Sequence, residues 1–179
     1  MKAMAELCAE KGYEATKIAD LVRRAGVARK TLYDNFEGKE EVFLAAFDTA
    51  VDEVAQSTER ACEETEGEWI DRVAAGLRAF LAAMAEDPAM ARMCIVEAVS
   101  VTPAASERYD EALQRFVDLL RRNTPADTGL PETIEETLVG GMVWILHQLI
   151  RRGEAERAVD LTPELLGFIL SPYQGVGKL

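Results

Sequence analysis

The sequence predicts an all-α protein, on three observations. Ala, Glu, Leu and Arg, all strong helix formers, dominate its 179 residues. Apolar residues recur at intervals of three and four, and the alternation of half-buried strands is almost absent. Gly or Pro marks most boundaries between the periodic stretches. With 49% apolar and 29% charged residues, the chain can bury a core and stay in solution.

A first helix is expected over residues 3–11, with Met4, Leu7 and Cys8 on one face and Gly12 as its stop. Thr16 is expected to cap a second helix over 17–24, with Ile18, Leu21 and Val22 turned inward. Ala25-Gly26 makes a turn, and a third helix covers 28–36 before Glu37-Gly38. A long fourth helix runs from 39 toward 64, carrying Val42, Phe43, Ala46, Ala50 and Val54 at helical spacing. Gly67 precedes a fifth helix over 69–86, which Asp87-Pro88 ends, and a sixth covers 89–99. Thr102-Pro103 is a cap followed by a first-turn proline and opens the seventh, to about 122. Residues 123–130 are rich in Pro, Gly and Thr and form a loop. An eighth helix covers 131–152. Thr162-Pro163-Glu164 opens a ninth, which runs to 170 before Pro172. The chain divides into a small unit, 1–47, and a larger one, 48–179.

Several function classes are disfavoured. No stretch approaches the roughly 18–20 apolar residues of a membrane-spanning helix. The N-terminus shows no uninterrupted apolar leader, and Cys8, Cys62 and Cys94 have neither metal nor disulfide spacing. The cytoplasm is the expected compartment. No nucleophile, metal or nucleotide motif is visible, so neither an enzyme nor a cofactor is expected.

Net charge is −12, yet residues 1–47 carry eight basic and eight acidic groups. Residues 15–39 carry six basic and three acidic ones. Screening over ~8–10 Å makes this local surplus the relevant quantity for phosphate contact. Within it, Leu32 and Phe36 share the inner face of the third helix. Lys30, Thr31 and Asp34 point away from that face, flanked by Arg29, Tyr33 and Asn35. Two short helices joined by a glycine turn, the second bearing outward cations, hydroxyls and an amide, form a helix-turn-helix suited to the major groove.

Gly12-Tyr13, Thr16, Ala25-Gly26-Val27, Thr31-Leu32-Tyr33, Phe36, Lys39-Glu40 and Phe43 together resemble the N-terminal domain of the tetracycline-repressor (TetR) family. Ser171-Pro172-Tyr173-Gln174-Gly175 resembles a C-terminal turn of some members more weakly. The resemblance implies a three-helix DNA-binding domain joined by a long helix to a helical ligand-binding and dimerisation domain. It implies phosphate contacts for Tyr33 and Lys39, backbone contacts for Thr16 and Lys17, and a reading surface of Arg29, Lys30, Thr31, Asp34 and Asn35. Three positions depart from the pattern. Ala28 stands where a Ser or Thr cap is usual, a loss of ~1 kcal/mol. Lys30 replaces a frequent Gly. Asp34 sets a carboxylate near phosphates, either to accept from cytosine or to repel non-specific DNA. No basic arm precedes the first helix in the sequence, so either the arm is absent or the sequence begins inside a longer chain.

Beyond residue 47, Phe80, Met84, Met93, Glu97, Tyr109, Phe116 and Trp144 are candidates to line a hydrophobic effector pocket, against the plainer reading of ordinary core. Glu97, in "MCIVEAVSV", either pairs with an arginine such as Arg92 or Arg108 or faces a cationic ligand. The helix "VGGMVWILHQLI" is apolar nearly all round. The resemblance places a dimer there, through Val139, Val143, Leu146, His147, Ile150, Leu166 and Ile169. The expected function is a transcriptional repressor that binds an inverted-repeat operator on double-stranded DNA as a homodimer and is released by a small hydrophobic effector. The competing expectation is a helical binding protein or enzyme that uses the N-terminal helices only for docking.

Overall fold

The computed structural model describes residues 2–126 and 128–175. It is all-helical over those residues. Helix α1 spans Lys2–Ala15, α2 Ile18–Ala25, α3 Arg29–Tyr33 and α4 Lys39–Glu63. Helix α5 spans Trp69–Glu86 and α6 Pro88–Arg92, which continues into one π-helical turn, Met93–Glu97. Helix α7 spans Pro103–Asn123, α8 Ile134–Arg151 and α9 Thr162–Leu170. Short 3₁₀ turns occupy Ala155–Leu161 and Ser171–Gly175.

The expected cap holds at the start of α7, and Asp87, expected only to end α5, also caps α6. Asp87 Oδ1 accepts from the Met90 amide at 2.9 Å, and Thr102 Oγ1 accepts from the Ala105 amide at 3.2 Å. The start of α2 differs from expectation. Its N-cap residue is Lys17, and the Asp20 carboxylate accepts the Lys17 amide at 3.1 Å. Gly12 interrupts α1 at φ +79° without ending it, and the chain makes one further turn to Ala15. That conformation suits glycine alone among common residues.

Two buried clusters form the core. The first gathers Met4, Leu7 and Cys8 of α1, Leu21 of α2, Leu32 of α3 and Phe43 and Phe47 of α4. It is completed from outside the first four helices by Met93, Cys94, Ala98 and Ala105. The second lies among α4, α5, α7, α8 and α9 around Leu81, Leu146 and Leu165. Helices α4 and α5 meet closely at Gly76, where an added Cβ would lie 2.5 Å from Cys62 Sγ. Three ion pairs at the surface bridge α4 to α7: Asp48–Arg108, with Asp48 partly buried, Asp52–Arg115 and Glu59–Arg122.

The final turn is pinned at the far end of the bundle. Tyr173 Oη donates to the buried Glu135 carboxylate at 2.8 Å, and its ring meets Trp69 edge-on. Burial, reinforced by Glu135, pushes the Tyr173 phenol up to about 12. The fold therefore favours the neutral phenol. Its contribution is complete below the ordinary value of 10.0 and disappears as pH rises through about 12. Alkaline unfolding curves of native chain and Tyr173→Phe should converge across that window, because the variant has no phenol to ionise.

Candidate nucleic-acid interface and effector cavity

The helix-turn-helix presents a polar face whose back is pinned by Leu32, with Phe36 half-buried beside it. Lys17, Arg29, Lys30, Thr31, Tyr33, Asp34 and Asn35 are exposed. Arg29 lies over the Tyr33 ring, 5.5 Å from its centroid, and Lys30 meets Asp34 at 3.5 Å. Among the described residues, no carboxylate pairs with Lys17 or Arg29. Other cations are engaged inside the domain. Arg24 binds Glu6 and Glu10, while Lys11 and Arg23 share Asp20, which ties α1 to α2.

Two expected contact residues are turned inward, and a third is engaged by its own helix. Thr16 is only 1% exposed, and its hydroxyl donates to the Gly12 carbonyl at 2.8 Å. Lys39 is half-buried. Its ammonium donates to the Tyr13 carbonyl at 3.0 Å and sits 3.9 Å from the centre of the Tyr13 ring. The Asn35 amide donates to the Thr31 carbonyl at 2.8 Å and so closes the end of α3. Local hydrogen bonding of this kind competes with outward presentation and is invisible to residue type alone.

An apolar cavity runs between α4, α5, α7 and α8. It has two lobes, which share Phe80, Phe116, Val139 and Met142. The Phe80 and Phe116 rings meet edge-on at 5.1 Å. One lobe, of about 60 Å³, extends to Thr58, Cys62 and Asn123; the other, of about 40 Å³, extends to Phe47, Met84, Cys94 and Tyr109. At ~10–15 Å³ per water, each lobe has room for only a few waters. Burial pushes the Cys94 thiol up to about 12, so this wall carries no charge.

Of the expected pocket residues, Phe80, Met84, Tyr109 and Phe116 line the cavity. Met93, Glu97 and Trp144 do not. Met93 is buried in the N-terminal cluster. Glu97 pairs with Arg92 at 3.4 Å and accepts the Tyr13 amide at 3.4 Å, so its partner is Arg92, while Arg108 turns to Asp48. Trp144 is 64% exposed. The lining residues Val139, Met142 and Val143 of α8 were not expected there.

The expected dimer residues need the corresponding correction. Val139, Val143, Leu146, Ile150 and Ile169 are buried within the single chain, and Leu166 is half-buried. A helix apolar on every side gives no indication of which face meets its own core. The outer face instead carries Gly140, Trp144 and the half-buried His147, whose ring stacks on Trp144 at 6.0 Å. Phe168 of α9 is 41% exposed and covers Gly141.

The family described as bacterial regulatory proteins, tetR family, matches residues 1–46. The HTH-type transcriptional repressor ComR of Escherichia coli is 46% identical over 55 residues, 30% of this chain and 26% of that protein. The HTH-type transcriptional activator FasR of Mycolicibacterium smegmatis is 24% identical over 143 residues, 80% of this chain and 65% of that one. The chain thus spans about a quarter of ComR and under two thirds of FasR. Among solved structures, the fatty acid degradation regulator FadR of Bacillus halodurans superposes with a TM-score of 0.83 at 16% identity, covering 94% of this chain and 95% of that one. FadR of Bacillus subtilis, solved in complex with stearoyl-CoA, gives 0.81 at 18% identity and covers 96% of both chains. At those identities the likeness is one of fold. The matched N-terminal segment and the ordered run of signature residues through it agree: residues 1–46 match the tetR family of bacterial regulatory proteins, and the chain as a whole shares the fold of these solved regulators.

Proposed function

We propose that the chain is a DNA-binding transcriptional regulator whose operator affinity is set by a small apolar effector. The observation that carries this reading is a shared wall. Phe47, Cys94 and Ala50 belong both to the N-terminal cluster and to the lining of the cavity. A chain entering lobes this small must push that wall outward. The π-helical turn would pass the displacement on, because Cys94 and Ile95 face the cavity while Glu97 holds the Tyr13 amide beside the Gly12 bend. Helix α4 offers a second route. DNA affinity changes by the effector's preference between the two arrangements.

The proposed mode is repression relieved by the effector, with 1–47 as the DNA-binding unit and 48–179 as the sensing and pairing unit. The stearoyl-CoA bound by the B. subtilis FadR supports a long-chain acyl group as the apolar portion of the effector. Two copies would pair through the Trp144 and Phe168 face, which sets two α3 helices about one DNA turn, ~34 Å, apart. Selection from a random duplex library at fixed salt tests the reading. Enrichment of an inverted repeat is expected, and recovery of unenriched sequence would overturn it.

The same DNA assay tests individual residues. Lys17→Ala, Arg29→Ala and Tyr33→Phe should each weaken binding to all sequences alike. Removing the Lys17 or Arg29 charge should lower the slope of log affinity against log salt by about 0.9, while Tyr33→Phe, which removes no charge, should weaken binding at an unchanged slope. Unchanged slopes for both cations and unchanged affinity for Tyr33→Phe would remove these residues from the interface.

A further inference from the structure

We infer that the effector is an anionic amphiphile, whose carboxylate or phosphate head binds Arg108 and Arg115 in place of Asp48 and Asp52 while its apolar chain fills the cavity. The inference rests on the effector reading above and specifies the chemistry of the ligand.

The geometry of the α4–α7 seam supplies the first half. A cleft of about 260 Å³ opens there, with Asp48 and Asp52 on one wall and Arg108, Glu111 and Arg115 on the other. Its floor is Phe47, Val51 and Ala112, and these same three residues wall the inner lobe of the apolar cavity. Val51 and Ala112 are small, so little separates the two spaces. A ligand lying through this point has one end among hydrocarbons and the other among five charges.

The quality of the ion pairs supplies the sign of the head. Arg108 reaches Asp48 at only 3.5 Å and Glu111 at 3.8 Å. A guanidinium keeps its charge at any accessible pH and binds carboxylate or phosphate best through two parallel hydrogen bonds. Arg108 makes no such fork here. The opposing carboxylates yield more easily. Asp52 and Glu111 are exposed and can turn to water at small cost. Asp48 is partly buried, and burial together with Asp52 and Glu111 holds its carboxyl above the usual carboxylate range despite Arg108. The exchange also has a mechanical result. Asp48 and Asp52 are residues of α4, so a ligand anion that takes their place breaks two of the three ion pairs that bridge α4 to α7, and α4 begins inside the N-terminal cluster.

The test is calorimetric titration of the full chain with 1-dodecanol, dodecanoate and lauroyl-CoA at low and high salt. One anion or both should bind about tenfold tighter than the alcohol, the yield of one good charged hydrogen bond. Gain for dodecanoate identifies a carboxylate head; gain for lauroyl-CoA alone identifies phosphate. The preference should shrink with salt and collapse in Arg108→Gln/Arg115→Gln. Equal affinity for all three ligands overturns the inference but leaves the cavity as an effector site, as does a preference that survives in the double variant. Binding of none of the three overturns the effector reading itself. Should the double variant not fold, the salt dependence of the native chain decides.

Discussion

Phe43→Ala should lower the stability of the chain by about 3–5 kcal/mol, the range for deleting a buried phenyl ring. Phe43 has no solvent exposure, and it meets Tyr13 edge-on at 5.2 Å. It stands in the second turn of α4, among side chains of the small first cluster. A domain holds ~5–15 kcal/mol in total, which makes this loss a large fraction. Since the same cluster holds Leu32, operator binding should fail along with stability. Urea unfolding followed by far-ultraviolet circular dichroism measures the loss. Phe43→Leu, which keeps most of the volume, should cost less than ~1.5 kcal/mol. Equal losses for the two variants would show that packing around the ring is not what matters.

Trp144→Asp should convert the chain to a monomer and reduce operator affinity by at least about 100-fold, the advantage that linked half-site binding supplies. An indole this exposed on an isolated chain is unusual unless something covers it. Its neighbour Gly140 allows a second helix to approach closely, and Phe168, which covers Gly141, extends the apolar patch onto α9. Central tryptophans commonly contribute ~2 kcal/mol or more to an interface. A buried carboxylate in place of the indole would also repel its two-fold copy. Light scattering coupled to gel filtration gives the mass directly. A variant that stays dimeric at micromolar concentration would place the interface elsewhere.

The fold was legible where a stop signal and an apolar period coincide. Trp69–Glu86 begins and ends where Gly67 and Asp87-Pro88 predict, and Thr102-Pro103 opens α7 as expected. Helix α3 is shorter than its period suggests, because Asn35 turns back to the Thr31 carbonyl and closes it early. The 3₁₀ turn at Ala155–Leu161 carries no clear helical period and was missed. At the sites, the outward face of α3 follows from the positions of Leu32 and Phe36. The inward turn of Lys39 does not, since a lysine beside a tyrosine ring looks like any surface lysine until the fold brings Tyr13 to it. The cavity was legible in composition but not in membership. Phe80 and Phe116 could be named, whereas Val139 and Met142 are ordinary core residues until α8 is rotated into place.

On the proposed function, the ion pairs that tie α1 to α2 bear on how the protein would locate an operator in a chromosome. With Lys11, Arg23 and Arg24 engaged by Asp20, Glu6 and Glu10, and with an acidic body behind them, the surface would exert only a weak general pull on duplex DNA. Any genome offers on the order of 10⁶ or more decoy positions, and every copy held on a decoy is lost to the operator. Holding the decoys weakly keeps most copies in circulation, so a small cellular pool can saturate its target.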